Sequence, residues 1–254
     1  MSDKYLIKEV FWTLQGEGHH AGRPALFVRF GGCNMWSGLD QHRERDRDKS
    51  AVHCSMWCDT DFAGGDSMGL DELVEMILDR IPRAWREYAA NRHTSNPMIV
   101  FTGGEPLLQL DERLLVSLLE KGSFYFAVET NGMTEPKPGV EKYLHWTCVS
   151  PKGRPEDMKI GRPGARVTHV NEVKVPFPCD TDLDPESYRS VMQSTHWTLT
   201  PIWEDPDDET HFKVPVSKRL HHGAEESIKA SLSWLRHHPG WTLSVQVHKY
   251  IGVE

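Results

Sequence analysis

Cys33, Cys54 and Cys58 follow a predicted strand, and residues 102 to 106 read Thr-Gly-Gly-Glu-Pro after the next one. Three thiolates on one stretch of chain can hold three irons of a four-iron cluster and leave the fourth iron open to a ligand. The same thiols with His42 or His53 as a fourth ligand would make a Cys3His zinc knuckle. Twenty residues separate Cys33 from Cys54 and three separate Cys54 from Cys58, and that spacing alone leaves zinc and cluster on equal terms. Gly103 and Gly104 either bring backbone close to a ligand or make a tight strand-to-helix turn. Cys148 and Cys179 read as buried small hydrophobes.

Positioning such groups requires a scaffold, and the sequence alternates strand and helix signals. Short apolar or β-branched runs at 25–30, 98–101, 124–128, 146–150, 170–175, 197–200 and 243–247 read as strands. Leu70, Leu73, Val74, Ile77, Leu78 and Ile81 recur at helical spacing, as do Leu110, Leu114, Leu115, Leu118 and Leu119 before Gly122. Weaker helical patterns cover 185–194 and 225–237. An extra helix is suggested around 79–93, where Trp85 and Tyr88 pack on the sheet or serve an interface. Such alternation predicts an α/β fold with a mainly parallel sheet, whose chemistry sits at the carboxyl ends of the strands. Cys33, Thr102 to Pro106, Glu129 to Gly132 and Ser150 to Lys152 all fall at such ends. No linker or repeat divides the chain, so one domain over 1–254 is expected. Residues 34–53 and 82–97 are the longest irregular stretches, and the mixed-sign run 43-RERDRDK-49 reads as a solvated loop.

Composition narrows the classes. The chain has 254 residues, 38% hydrophobic and 26% charged, as folded domains do, and a formal net charge of -8 argues against a broad nucleic-acid surface. No apolar signal segment opens the sequence and no run approaches membrane-spanning length. A cytoplasmic location is therefore expected, with no membrane partner, and with thiols rather than disulfides.

With the cysteines upstream of 103-GGEP-106, the sequence resembles the radical S-adenosylmethionine superfamily. Trp57, just before Cys58, matches its aromatic adenine contact, and Gly103, Gly104 and Glu105 match the segment that binds the methionine amino group. The segments 12-WTLQGEG-18, 24-PALFVRFGGCN-34, 57-WCDTDF-62, 101-FTGGEPLLQL-110, 129-ETNG-132, 149-VSPK-152 and 248-HKY-250 resemble, more narrowly, the 7-carboxy-7-deazaguanine synthases across nearly the whole chain. The three-residue gap between Cys54 and Cys58 departs from the superfamily's usual two.

The resemblance implies a partial (β/α) TIM-like barrel and a [4Fe-4S] cluster on Cys33, Cys54 and Cys58. It implies S-adenosylmethionine held also by Glu129, Asn131, Ser150, Pro151, Lys152, Thr200 and Pro201, and Mg2+ at Thr60. The implied reaction converts 6-carboxy-5,6,7,8-tetrahydropterin to 7-carboxy-7-deazaguanine with loss of ammonia. Leu14, Gln15, Gly16, Glu17, Arg29, Thr102, His248 and the terminal Glu254 are its expected substrate contacts, Arg29 as the cation for a carboxylate. A homodimer and an electron donor such as flavodoxin are implied partners. A radical activase acting on a glycine of a partner protein, and a zinc-stapled binding module, are the alternatives.

Overall fold

A computed structural model of the chain describes residues 4–50, 58–90, 96–178, 183–203 and 224–253. His53, Cys54, Trp57, Cys179 and Glu254 lie outside the described residues. The strands form one nine-stranded sheet in the order β3-β1-β2-β4-β5-β6-β7-β8-β9. They are β1 Lys4–Leu14, β2 Pro24–Phe30, β3 Asp66–Gly69, β4 Met98–Gly103, β5 Tyr125–Thr130, β6 Trp146–Val149, β7 Val170–Phe177, β8 Ser194–Pro201 and β9 Thr242–Leu243. Pairing is parallel from β2 through β4 to β9. Only β1 runs against its neighbours, β2 and β3. The sheet is a barrel left open, because its edge strands β3 and β9 do not pair among the described residues.

Helices α1 Arg43–Ser50, α2 Leu70–Arg80, α3 Arg83–Ala90, α4 Glu112–Lys121, α5 Glu225–Leu235 and α6 Val247–Ile251 complete the fold. The apolar stripes predicted for α2 and α4 are the buried ones: Leu73, Val74 and Ile77 on α2 and Leu114, Leu115 and Leu118 on α4 join the strand residues in one core. The α4 stripe begins where Asp111 accepts a hydrogen bond from Leu114 N at 3.1 Å, satisfying a free amide of the first turn. Among the described helices none is long and apolar enough to cross a membrane.

Several sequence expectations are corrected. Residues 4–14 carry no simple alternation, yet form the longest strand. A register shift between Ile7 and Glu9 in the pairing with β2 breaks the period-two pattern that would have revealed it. The run 43–49 is helical rather than a loop. Its contacts are polar rather than apolar, which is why it has no apolar stripe: Asp46 accepts from Ser37 N at 2.9 Å, and the Arg43 guanidinium sits over the Trp36 ring at 4.5 Å. The extra helix suggested around 79–93 is present as α3, whose Trp85 packs on the sheet against Trp12 of β1 with ring centres 5.5 Å apart, so the stretch 82–97 is not wholly irregular. The 185–194 pattern shrinks to a 3-10 turn over Pro185–Ser190, after which Ser194 opens β8. Of the predicted last strand, 243–247, only Leu243 pairs, within β9, and the chain then turns into α6, so His248 stands on a helix.

Candidate active site

The concave side of the open barrel encloses a cavity of about 650 Å³. Its walls include Leu14, Gln15, Gly16, Glu17, Arg29, Thr102 and His248 from the expected substrate set. Gly103, Gly104, Glu129, Asn131, Ser150, Lys152, Thr200 and Pro201 line it from the expected cofactor set, and Cys33, Cys58 and Thr60 from the expected metal set. Among the described residues, two expected ones do not line it. Glu105 is fully buried behind the glycine pair, and Pro151 is buried behind Ser150 and Lys152.

Gly103 and Gly104 work first on the protein itself. The carboxyl end of β4 passes so close to the start of the cysteine loop that a β-carbon on Gly103 would lie 2.1 Å from Phe30 O, and one on Gly104 2.1 Å from Gly32 O. That proximity lets Gly104 N donate to Phe30 O at 3.2 Å and Glu105 N donate to Gly32 O at 3.0 Å, so the thiol loop is sewn to the strand end. The Glu105 carboxylate accepts from Leu107 N, Thr130 Oγ1 and Asn131 N at 2.8 to 3.0 Å. Burial pushes its carboxyl up to about 7 against the pull of those donors. Glu105 thus braces the β4 and β5 ends rather than presenting its side chain to a ligand. Cys33 and Cys58 pack together on the small apolar cluster of Met35, Trp36 and Phe62. Arg43 from α1 donates to Cys58 O at 3.2 Å.

The cavity wall also holds a charge that sequence reading missed, Lys174, between two carboxylates that it named. Lys174 on β7 is 6% exposed and its ammonium lies 2.6 Å from Glu17 Oε2 and 2.9 Å from Glu129 Oε2. The other oxygen of each carboxylate accepts an amide: Gln246 donates to Glu17 Oε1 at 2.8 Å, and Gln15 donates to Glu129 Oε1 at 3.0 Å. Burial would raise the Glu17 carboxyl, but Lys174, His248 and Gln246 bring it down to about 2, so it is ionised. Burial works against the Lys174 charge, yet the carboxylates around it hold its pKa well above the ordinary lysine value. The signal was present in 170-VNEVKV-175, where Glu172 and Lys174 share one face of a strand that also carries three valines.

Helix α6 closes this wall. Val247 N donates to Gly16 O at 2.9 Å, and a β-carbon on Gly16 would meet His248 Nδ1 at 1.9 Å. Lys249 forms an ion pair with Asp59, the residue after Cys58. Burial would raise the Asp59 carboxyl, but Lys249 and weaker partners bring it down to about 2. The substrate-side loop, the thiol loop and the C-terminal helix are therefore linked through one lid. Gly16→Ala is expected to pry α6 loose: overpacking of about 1–3 kcal/mol falls on that contact alone, and limited proteolysis should then cut the C-terminal segment faster than in wild type while the barrel stays resistant.

Arg29 faces the cavity from β2, and its Nε donates to Glu9 Oε1 on the paired strand at 2.5 Å. With Nε engaged there, the terminal nitrogens form the edge of the fork left for an anion.

The residues present fit an iron-sulfur cluster with a chelating, adenosine-bearing ligand. Thiols are soft donors suited to iron, and two of the three expected ones stand on the cavity wall beside backbone bared of side chains at Gly103 and Gly104. Burial pushes the Cys33 thiol up to about 11 without a metal, and a bound cation is what would hold it as thiolate. Thr200 Oγ1, on the wall where an adenosine is expected, is buried and has no hydrogen-bond partner among the described residues. Such an orphaned hydroxyl is costly unless a ligand satisfies it. Of the two alternative zinc ligands, His42 is hydrogen-bonded to Ser37 at 3.2 Å, and His53 lies outside the described residues. No group of three metal-ligating side chains forms among the described residues, which exclude Cys54.

No family model matches the chain. Curated relatives do so end to end. The 7-carboxy-7-deazaguanine synthase of Bordetella pertussis is 39% identical over 251 residues, covering 98% of this chain and 99% of the relative. Those of Caulobacter vibrioides and Burkholderia multivorans are 36% and 35% identical over the same shares. The crystal structure of QueE from Escherichia coli, 22% identical, covers 96% of this chain and 95% of its own with a TM-score of 0.57, and so shares the fold. At such identity over almost the full length of both partners, the chain belongs to the 7-carboxy-7-deazaguanine synthase family of radical S-adenosylmethionine enzymes.

Proposed function

We propose that this protein converts 6-carboxy-5,6,7,8-tetrahydropterin to 7-carboxy-7-deazaguanine and ammonia, in a single domain spanning the chain. The observation that carries this reading is one cavity in which the thiol loop and the glycine pair face Arg29, Gln15, Glu17 and His248. A radical activase or a zinc module would have no use for that second wall.

When bound, the [4Fe-4S] cluster with S-adenosylmethionine supplies hydrogen-atom abstraction. Cys33, Cys54 and Cys58 would hold the cluster. The cofactor would be held by the backbone at Gly103 and Gly104 and by Glu129, Asn131, Ser150, Lys152, Thr200 and Pro201, with Trp57 at its adenine. The rest falls to binding and orientation by the chain. Arg29 offers its terminal nitrogens to the substrate carboxylate, and ionised Glu17 accepts from the N–H groups of the pterin edge. Thr102, the Leu14 to Gly16 backbone, His248 and the carboxylate of Glu254 complete the pterin contacts. Thr60 offers a hard oxygen for Mg2+, which prefers such ligands. A lid formed by α6 keeps water from a reacting radical and fixes the C6 hydrogen in place before it is taken. Substrate and product differ by one ammonia, so no net oxidant is consumed and S-adenosylmethionine is regenerated. A homodimer and a flavodoxin-like donor complete the proposal.

Arg29→Ala is expected to raise KM about 10- to 100-fold with iron content unchanged, the loss of a charge-assisted bond of about 1.5–3 kcal/mol. An unchanged KM removes Arg29 from the substrate site. The deciding test is anaerobic reconstitution followed by incubation with the tetrahydropterin, reductant and S-adenosylmethionine. Deazaguanine carboxylate without stoichiometric 5'-deoxyadenosine supports the reading. Stoichiometric 5'-deoxyadenosine with no such product favours the activase, and bound zinc without iron the binding module.

A further inference from the structure

Lys174 occupies a place that substrate or cofactor binding alone does not explain. It is nearly buried, and its one ammonium is shared by two carboxylates from different elements. Glu17 belongs to the loop after β1 and Glu129 to the end of β5. Each carboxylate spends its Oε2 on Lys174 and its Oε1 on a glutamine amide, so Gln15, Glu129, Lys174, Glu17 and Gln246 form one continuous chain of hydrogen bonds and ion pairs. Gln15 adds a cross-tie, since it stands on the same loop as Glu17 yet donates to Glu129. Glu172, two residues along the Lys174 strand, stays outside the chain: it accepts from His19 N at 3.1 and 3.2 Å and from Thr198 Oγ1 at 3.3 Å.

We propose that Lys174 is a positioning residue that couples cofactor binding to substrate binding, by holding Glu17 and Glu129 in one shared ionic bridge. The proposal rests on the reading above, in which Glu17 meets the pterin and Glu129 meets S-adenosylmethionine. A ligand that donates to either carboxylate fixes that carboxylate and, through the ammonium between them, restrains the other. The second ligand then meets a group already ordered and loses less conformational freedom on binding. Each ligand raises the affinity of the other by the same factor, as linkage requires. An enzyme whose radical is indiscriminate gains from this arrangement, because the cofactor is held firmly only when the substrate is in place.

The test uses the reconstituted, unreduced protein and measures the Kd of S-adenosylmethionine with and without saturating 6-carboxytetrahydropterin, then the reverse pair. Wild type is expected to show a mutual enhancement of at least about fivefold, the lower end of ordinary site coupling. In Lys174→Met the factor is expected to fall to near one with iron content unchanged, and Lys174→Arg, which keeps the charge, should restore part of it. A simple loss of packing would weaken each ligand without erasing the ratio, and would not be rescued by arginine. Should Lys174→Met fail to fold, Glu129→Gln cuts one arm of the bridge and is expected to collapse the same factor. Full coupling in Lys174→Met, or in Glu129→Gln if only that variant folds, overturns the proposal. A wild type that makes the deazaguanine product but binds the two ligands independently overturns the coupling alone. One that binds neither ligand overturns the functional reading as well.

Discussion

Cys58→Ala, reconstituted anaerobically, is expected to fold and yet hold no intact cluster and form no product, while Cys148→Ala keeps about four irons per chain and its activity. The contrast follows from where the two thiols stand. Cys58 is only partly buried, lines the cavity and shares its apolar backing with Cys33. On the proposed assignment its removal takes a cluster ligand away, and it leaves the main core intact. Cys148 is 1% exposed on β6, and burial, reinforced by the carboxylates of Glu129 and Glu172, pushes its thiol well above the ordinary value. A thiol so placed stays protonated and inert, because the thiolate is the ligand form. Iron and sulfide per chain, read beside the far-UV signal that reports folding, check both halves. Equal iron in the two variants would overturn the ligand assignment. The activity lost in Cys58→Ala is total rather than partial, since without the cluster nothing remains to cleave the cofactor.

Much of the site could be read from the sequence because a parallel sheet collects its strand ends. Arg29, Thr102, Glu129, Ser150 and Thr200 each stand at or just beyond the carboxyl end of a run that patterning marks clearly, and the cavity joins them. What escaped did so for identifiable reasons. β1 was hidden by its register shift, and with it Glu9, the partner of Arg29. Lys174 sits inside a predicted strand, where a charged residue reads as an outward-facing one. Only the curvature of the sheet shows that this face is the inside of a barrel. Arg43 belonged to a run whose charges suggested a solvated loop, and its contact with Cys58 joins residues fifteen apart that no local pattern links. Glu105 was assigned to the cofactor through its motif, yet its carboxylate is turned inward to three donors from the neighbouring strand and turn. A motif records that a residue belongs to a site without recording which way its side chain faces.

That distinction sharpens the expectation for Gly103→Ala, the variant expected to harm the scaffold most. Gly103 has φ +131°, a conformation that L side chains rarely adopt, and its missing β-carbon would lie 2.1 Å from one backbone oxygen and 2.6 Å from a backbone nitrogen of Phe30. Backbone strain of about 1–3 kcal/mol therefore adds to overpacking of about 1–3 kcal/mol. Phe30 is fully buried in the core and cannot swing aside as an exposed side chain would. Together they predict a loss of about 2–6 kcal/mol and, for a chain of this size, a fall in Tm of about 4–24 °C at roughly 2–4 °C per kcal/mol. Gly164→Ala supplies the control: Gly164 has φ +84° but nothing within 4 Å of the added carbon, so it bears the strain without the collision. A Tm for Gly103→Ala no lower than that of Gly164→Ala would show that β4 does not press closely on the start of the thiol loop. If the collision is real, the damage passes to function through Phe30 and Gly32, because the same strand end hydrogen-bonds to both and Cys33 follows immediately. Iron retention in Gly103→Ala should then fall along with Tm, whereas Gly164→Ala, at a position that does not line the cavity, keeps its full complement.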